Sequence, residues 1–258
     1  MTHFDLFRRL HHGERPLVLP NAWDFSSAAA LAAAGFPAVA TTSLGVSAAA
    51  GLPDASGLAR DETLALARRL VRLPVPISVD IESGFSADPD EVVGLTITLA
   101  AMGVAGINLE DGRSDHTLAD PTAQAELIAA IKSHAPDLFV NARTDTHWLG
   151  VDRDSTLDRA RRYEKAGADG IFVPGLRHRD EITELTTAIG VPLNILALPD
   201  APTTDDLTTL GVRRISTGGL LFRAALATTV DTARAVRDSR PIPTGLPSYA
   251  EVQSLISG

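Results

Sequence analysis

The chain contains no cysteine. Disulfides, thiolate metal sites and a cysteine nucleophile or acid are therefore excluded. It also lacks a basic cluster, and its net charge is −9. Nucleic acid is thus not an expected partner, and neither is an anionic membrane surface. The first ten residues, Met1 to Leu10, lack an apolar core followed by a small-residue cleavage site, so no signal peptide is expected. One charge-free run, Val92 to Leu109, extends over 18 residues, but it carries Thr96, Thr98 and Asn108, and its periodicity changes at Gly103. It reads as a buried helix followed by a buried strand rather than as a membrane span. The expected compartment is the cytoplasm.

With 258 residues, 45% of them hydrophobic, the chain suits one large α/β domain or two small ones. A helix-like run, a glycine and a strand-like run recur together. Examples are Ala32 to Val39 around Gly35, Ala100 to Ile107 around Gly103, Lys165 to Phe172 around Gly167, and Thr209 to Ile215 around Gly211. Glycine after a helix takes the left-handed cap conformation that other residues resist. Repeated helix-to-strand returns of this kind imply parallel strands.

The pattern predicts strands at about 17–20, 37–43, 76–82, 105–110, 138–143, 169–173, 192–196 and 212–216. Helices are predicted at about 24–34, 60–73, 88–102, 121–134, 154–166, 179–189, 203–209 and 219–237. Asp61, Asp88 before Pro89, and Asp120 before Pro121 are expected helix caps. Eight βα units predict a single (β/α)₈ TIM barrel over about 17–238. A doubly wound sheet is the alternative, but no Gly-rich phosphate loop follows the first strand. An N-terminal helix at 2–12 precedes the barrel as a plug for its bottom. A Pro/Gly-rich linker at 239–247 leads to a C-terminal helical extension at 248–257, opened by a capping box of Ser248 and Glu251. That helix needs a surface to pack on, and a neighbouring subunit is one option.

The acidic residues at the predicted strand ends carry the chemistry. Asp80 and Glu82 are two apart, so in a strand both side chains point to one face. In the next strand Asn108 and Glu110 share a face. Three carboxylates meeting at the mouth of a barrel repel one another unless a cation lies between them. Mg²⁺ suits a few carboxylates plus waters and substrate oxygens. Asp80, Glu82 and Glu110 are therefore the expected metal ligands. Arg143 is a candidate clamp for a substrate carboxylate, or a structural partner of Glu110. The amides of Ser43, Leu44 and Gly45 are placed to receive an oxyanion. Asp54 and His116, the latter in the polar loop Gly112 to Asp120, are candidate proton-transfer groups. Asn194 is expected to face the substrate, Trp23 to pack, and Asn108 with Asn141 to form an inward polar layer.

Taken in order, these segments resemble the isocitrate lyase/phosphoenolpyruvate mutase superfamily. The resemblance rests on Asn21 to Asp24, Thr42 to Val46 with Gly51 to Asp54, Val79 to Gly84, Gly106 to Asp111, Asn141 to Asp145, and Ser216 to Gly219. It implies Mg²⁺, with Mn²⁺ as an alternative, near Asp80, Glu82 and Glu110. It also implies a small 2-oxo or 2-hydroxy carboxylate substrate and a pyruvate-like enolate held near Ser43, Gly45 and Arg143. A homo-oligomer, dimeric or tetrameric with an exchanged helix near the C-terminus, is implied as well. Relatives that break C–C bonds carry a cysteine in a Lys-x-Cys-Gly-His lid, and this chain has none. The phosphonate enzymes carry Lys and Asn in the lid, and here the lid reads Gly112-Arg113-Ser114-Asp115-His116-Thr117-Leu118-Ala119-Asp120. Three readings follow: a lyase working through an enolate, a phosphonopyruvate-type mutase or hydrolase that breaks a C–P bond, and a barrel that binds a dicarboxylate without catalysis.

Overall fold

The computed structural model describes residues 1–256. Nine short strands form one parallel sheet: β1 Leu17–Leu19, β2 Asn21–Ala22, β3 Val39–Thr41, β4 Ile77–Asp80, β5 Gly106–Glu110, β6 Phe139–Arg143, β7 Gly170–Phe172, β8 Leu193–Leu196 and β9 Arg214–Ser216. The order around the sheet is β1-β9-β8-β7-β6-β5-β4-β3-β2. The first strand, predicted at 17–20, ends at Leu19, and the chain resumes pairing past Pro20 as β2. Proline has no N–H to give to a ladder, and the chain changes neighbour there. β1 pairs with β9 and β2 with β3, which closes a TIM barrel of eight strand positions.

The helices that follow the strands lie close to their predicted places: α2 Phe25–Ala33, α4 Arg60–Leu70, α5 Pro89–Met102, α6 Pro121–His134, α8 Thr156–Lys165, α9 Arg179–Ala188, α10 Thr204–Thr209 and α11 Leu220–Arg237. Asp88 caps α5 by accepting from the Asp90 amide, and Asp120 caps α6 by accepting from Thr122 and Ala123. Asp61 is not a cap. Helix α4 begins at Arg60 after Ala59, so Asp61 lies in the first turn, where its charge complements the helix dipole. Two short helices escape the sequence pattern, α3 Ser43–Ala49 and α7 Thr146–Leu149. Both sit in loops at the C-terminal mouth of the barrel. The second strand consequently stops at Thr41 rather than at residue 43. No helix among the described residues is long and apolar enough to cross a membrane.

The N-terminal helix α1, His3–Leu10, plugs the barrel bottom. Phe7 is fully buried among Leu17, Leu19, Ala38, Ala40, Ala105 and Phe139. Its ring meets Phe139 edge-on at 5.3 Å, and the buried His11 stacks on the same ring at 4.4 Å. Gly106 makes room for this plug. A Cβ there would stand 2.9 Å from both the Phe139 carbonyl oxygen and a Phe7 ring carbon. Gly106→Ala should therefore cost about 1–3 kcal/mol, as overpacking of a filled core does. Urea denaturation should show a lower midpoint with an unchanged slope, and an unchanged midpoint would mean that the plug yields freely.

The C-terminal helix α12, Tyr249–Ile256, begins with the expected box. Ser248 Oγ accepts from the Glu251 amide at 3.2 Å, and Glu251 Oε2 accepts from the Ser248 amide at 2.7 Å. The helix packs on α2 of its own chain. The predicted residue 257 lies outside the described residues.

Candidate active site

Asp80 ends β4, and its amide donates to Thr41 Oγ1 on the neighbouring β3 at 2.8 Å. Strand alternation does not extend to Glu82. The strand stops at Asp80, and Glu82 takes a left-handed backbone conformation with φ of 51°. A non-glycine residue in that region is held there by its surroundings. Here the holding bonds are visible. Glu82 Oε2 accepts from the Gly57 amide at 3.0 Å, and the Glu82 amide donates to Asp80 Oδ1 at 3.2 Å. Glu82 Oε1 is buried with no hydrogen-bond partner among the described residues. So Asp80 and Glu82 lie side by side through a turn rather than through a pleat.

Glu110 ends β5 directly opposite Arg143, which ends β6. That register brings Arg143 Nη1 to 2.8 Å from Glu110 Oε2. Arg143 Nε lies 2.6 Å from Asp145 Oδ1. The sequence marks Asp145 as the end of the Asn141 to Asp145 stretch but assigns it no role of its own. Its amide donates to Asp111 Oδ1 at 2.9 Å, while Asp111 Oδ2 accepts from Tyr163 Oη at 2.7 Å and from Arg159 Nη1 at 3.1 Å. Arg159 Nη1 also donates to the Ala119 carbonyl, and the Ala119 amide to the Asp111 carbonyl. Both ends of the loop from Gly112 to Asp120 are thereby tied to α8.

Burial and crowding raise the carboxylates together. Glu82 is pushed up to about 7, first by burial and then by Asp80, against the Gly57 amide. Glu110 is pushed up to about 8 by burial, with Arg143 pulling it part of the way back. Burial raises Asp80 and Asp145 as well, opposed in each by Arg143. Burial alone would lower Arg143, but Glu110, Asp145 and Asp80 hold it above its ordinary value.

Two cavities meet around this cluster. One, of about 210 Å³, is bounded by Ser43, Leu44, Asp54, Asp80, Asn108 and Arg143 on one side and by residues of β7 to β9 on the other. The second, of about 290 Å³, runs toward the loop of His116 and is lined by Ser43, Asp54, Glu110, Arg143, Asp145 and His116. Ser43, Asp54, Arg143 and Trp148 belong to both. The sequence marked Trp23 for packing but not Trp148, which α7 carries to the shared mouth. Trp23 meets Phe222 edge-on at 5.4 Å, and its Cβ would be 2.6 Å from a Cβ at Gly45. Gly45 is buried in α3 and lines neither cavity, whereas Ser43 and Leu44 do. Thr42 precedes α3 without a side-chain cap, and the Ser43 amide is turned instead to the Asp80 carboxylate.

Asn194 is buried below the cavities. Its Nδ2 donates to Ser216 Oγ at 3.0 Å, and its Oδ1 has no hydrogen-bond partner among the described residues. Asn141 Nδ2 donates to Asn108 Oδ1 at 2.8 Å, as an inward polar layer requires. The sequence did not reveal Arg214, which joins this layer. Fully buried, it donates to Asn108 Oδ1 and Ser216 Oγ, both at 3.1 Å. Burial pulls Arg214 down to about 9, opposed by Asp80.

No three His, Asp or Glu side chains among the described residues are grouped as ready-made ligands of one metal ion. The donor set nevertheless fits Mg²⁺. Glu82 keeps an unpartnered buried oxygen, and Asp80, Glu82 and Glu110 all resist ionisation in one another's company. Mg²⁺ normally takes one or two carboxylates and retains several waters. Asp80 alone of the three lines the inner cavity, so it is the direct candidate, with Glu82 and Glu110 set back.

The family described as phosphoenolpyruvate phosphomutase matches residues 7–237. Two uncharacterized proteins of Mycobacterium tuberculosis strains are 46% identical over 250 residues, covering 96% of this chain and 95% of theirs. A 2-methylisocitrate lyase of Bacillus subtilis is 32% identical over 196 residues, 72% of this chain and 64% of that protein. Among solved structures, a phosphonopyruvate hydrolase in complex with oxalate and Mg²⁺ aligns with a TM-score of 0.87 at 26% identity, covering 99% of this chain and 95% of that one.

Proposed function

The chain belongs to the phosphoenolpyruvate mutase/isocitrate lyase superfamily of enzymes, and from that premise we propose an Mg²⁺-dependent lyase that acts on a small 2-oxo or 2-hydroxy carboxylate through an enolate. The observation that carries the proposal is the inner cavity, where Asp80, Arg143 and Ser43 face one small space. Asp80, with Glu82 and Glu110 behind it, would hold the metal. Bound there, Mg²⁺ supplies Lewis-acid polarisation of the substrate's C2 oxygen. Arg143 is fixed by Glu110 and Asp145 through Nε and Nη1, and its Nη2 makes no hydrogen bond among the described residues. A substrate carboxylate is the natural partner for that nitrogen. The amides opening α3 at Ser43 and Leu44 offer fixed dipoles to the enolate oxygen as its charge develops. Gly45 contributes by letting Trp23 close over the helix. Asp54 and His116 share the second cavity and are the groups we assign to proton transfer. Asn194 orients Ser216 beneath the site rather than lining it. We also read the exposed Leu226, Val230 and Val236 of α11 as a face covered in a homo-oligomer, which light scattering would test. A cytoplasmic location belongs to the same reading.

The direct test is calorimetric titration with oxalate, an enolate mimic, with and without Mg²⁺. Binding that requires Mg²⁺ is expected, and no binding in either condition would remove the enolate mechanism. The C–P reading on the same scaffold is separated by ³¹P NMR with phosphonopyruvate, for which no new phosphorus signal is expected.

The raised carboxylates also set a pH dependence. Glu82 near 7 and Glu110 near 8 must lose protons to meet a cation. Mg²⁺ affinity should therefore climb between about pH 6 and pH 8.5, with protons released on uptake. A flat affinity across that window would mean that these two groups stand apart from the metal.

A further inference from the structure

The inner cavity is chemically two-sided. Toward β3 to β6 it is lined by Asp54, Asp80 and Arg143, which the mechanism uses, and by Asn108 of the polar layer. Toward β7 to β9 it is lined by Phe172, Pro174, Leu196, Ala197, Leu198 and Leu220, which the mechanism leaves idle, and by Ser216 and Thr217, whose hydroxyls are already bonded to Asn194, Arg214 and Asn21. These residues do not lie loosely against the opening. Leu196 is seated on the backbone after β9, where a Cβ at Gly218 would meet its Cδ1 at 2.8 Å. Gly219 likewise receives Leu44, with 2.6 Å between a Cβ there and Leu44 Cδ2. Phe172 lies beneath the Arg143 guanidinium at 5.7 Å, so the apolar wall begins beside the carboxylate clamp. The other cavity differs in its charged lining, since toward the loop of His116 it is bounded by Glu110, Arg113, His116 and Asp145. The sole charged side chain on the apolar side is Arg223, which is exposed and forms no ion pair among the described residues.

From this division we infer that the substrate carries a short, uncharged aliphatic substituent, which leaves the reacting carbons toward β7–β9 and is buried against Leu196, Leu198 and Phe172. An unsubstituted pyruvate-like acid would leave that wall facing water. A substituent ending in a carboxylate would bring its charge against leucine and phenylalanine, a costly burial with no buried partner. The inference rests on the enolate reading above and names the substrate class for that site.

The test uses the full-length protein with Mg²⁺ and a non-reacting series: oxalate, oxamate, and N-methyl-, N-ethyl- and N-propyloxamate, measured by calorimetry. Each added carbon should tighten binding about two- to fourfold, the value of burying a methylene group. N-Ethyloxamate should also bind more tightly than N-oxalylglycine, which has a similar length but ends in a carboxylate. Affinity that is flat or falls along the series would overturn the inference. So would tighter binding of N-oxalylglycine, which would mean that Arg223 reads a distal anion. If oxalate itself fails to bind, the enolate reading fails, and the inference goes with it by a distinct route. Leu196→Asn offers a second check, since the gradient along the series should flatten relative to the same variant's oxamate affinity. A gradient that persists unchanged would place the substituent elsewhere.

Discussion

Asp80→Asn should abolish turnover while leaving the barrel close to native stability. The two side chains have nearly the same shape, and the amide-to-Thr41 bond that fixes residue 80 comes from its backbone and survives. What disappears is a charge that burial already disfavours, so its removal relieves a desolvation penalty instead of creating one. Against that gain, Asp80 is also a counter-charge to the buried Arg143 and Arg214, so the net change in stability is small. Loss of one preorganised electrostatic group of this kind typically costs about 10³-fold in rate. Mg²⁺-dependent oxalate binding should fall by about two orders of magnitude, a loss of ~2.7 kcal/mol. Calorimetry paired with a thermal melt checks both halves. Native-like oxalate affinity in the variant would show that Asp80 does not hold the metal. A collapsed melting temperature would make its role structural.

Arg143→Met has an effect of a different kind. It removes the cation between Glu110 and Asp145, both of them buried. Breaking a buried ion pair from one side leaves uncompensated charge and costs about 3–5 kcal/mol. The pH dependence follows from the carboxylates. Both already sit above their ordinary values, and without Arg143 they rise further. A folded-state carboxyl raised above its unfolded value binds more protons than the unfolded chain, so stability declines as pH rises through that range. The gap between native and variant stability should therefore be small near pH 5 and widen toward pH 8. Chemical denaturation at the two pH values measures it. A gap independent of pH would mean that the guanidinium contributes packing and not charge. Adding Glu110→Gln to Arg143→Met should restore part of the stability at pH 8, since it removes one of the orphaned charges. Activity should stay lost in both, because the clamp for the carboxylate is gone.

The sequence made much of this legible, and its gaps have physical causes. Buried parallel strands and glycine-capped helices announce themselves by composition, so the barrel and the order of its units were readable. The capping aspartates before Pro89 and Pro121 were readable for the same reason, because that chemistry is local. Asp61 resembled them but lies one residue inside its helix, where the same charge serves the dipole. Alternation brought Glu82 to the right place for the wrong reason. The residue turns inward through a left-handed backbone that no periodicity encodes, held by an amide 25 positions away at Gly57. Helices α3 and α7 are too short for a helical period to show, and they carry Ser43 and Trp148 into the mouth. Arg214 was hidden because a buried arginine is rare and nothing local separates it from its neighbour Arg213. Only the register with Asn194 and the bonds to Asn108 and Ser216 reveal it.

Pro20 has a further consequence, for the order in which the chain can fold. The barrel closes where Leu17–Leu19 meets Arg214–Ser216, two segments about 200 residues apart in sequence. Every other strand pair is a short loop closure by comparison, and contacts between distant segments form late because their entropy must be lost before they reward the chain. The proline frees β1 from the β2–β3 pairing, so an open, curled sheet from β2 to β9 is a natural intermediate, with α1 and β1 as its last arrivals. During synthesis, the first strand of the barrel must wait without its β9 partner until nearly all of the barrel has followed it.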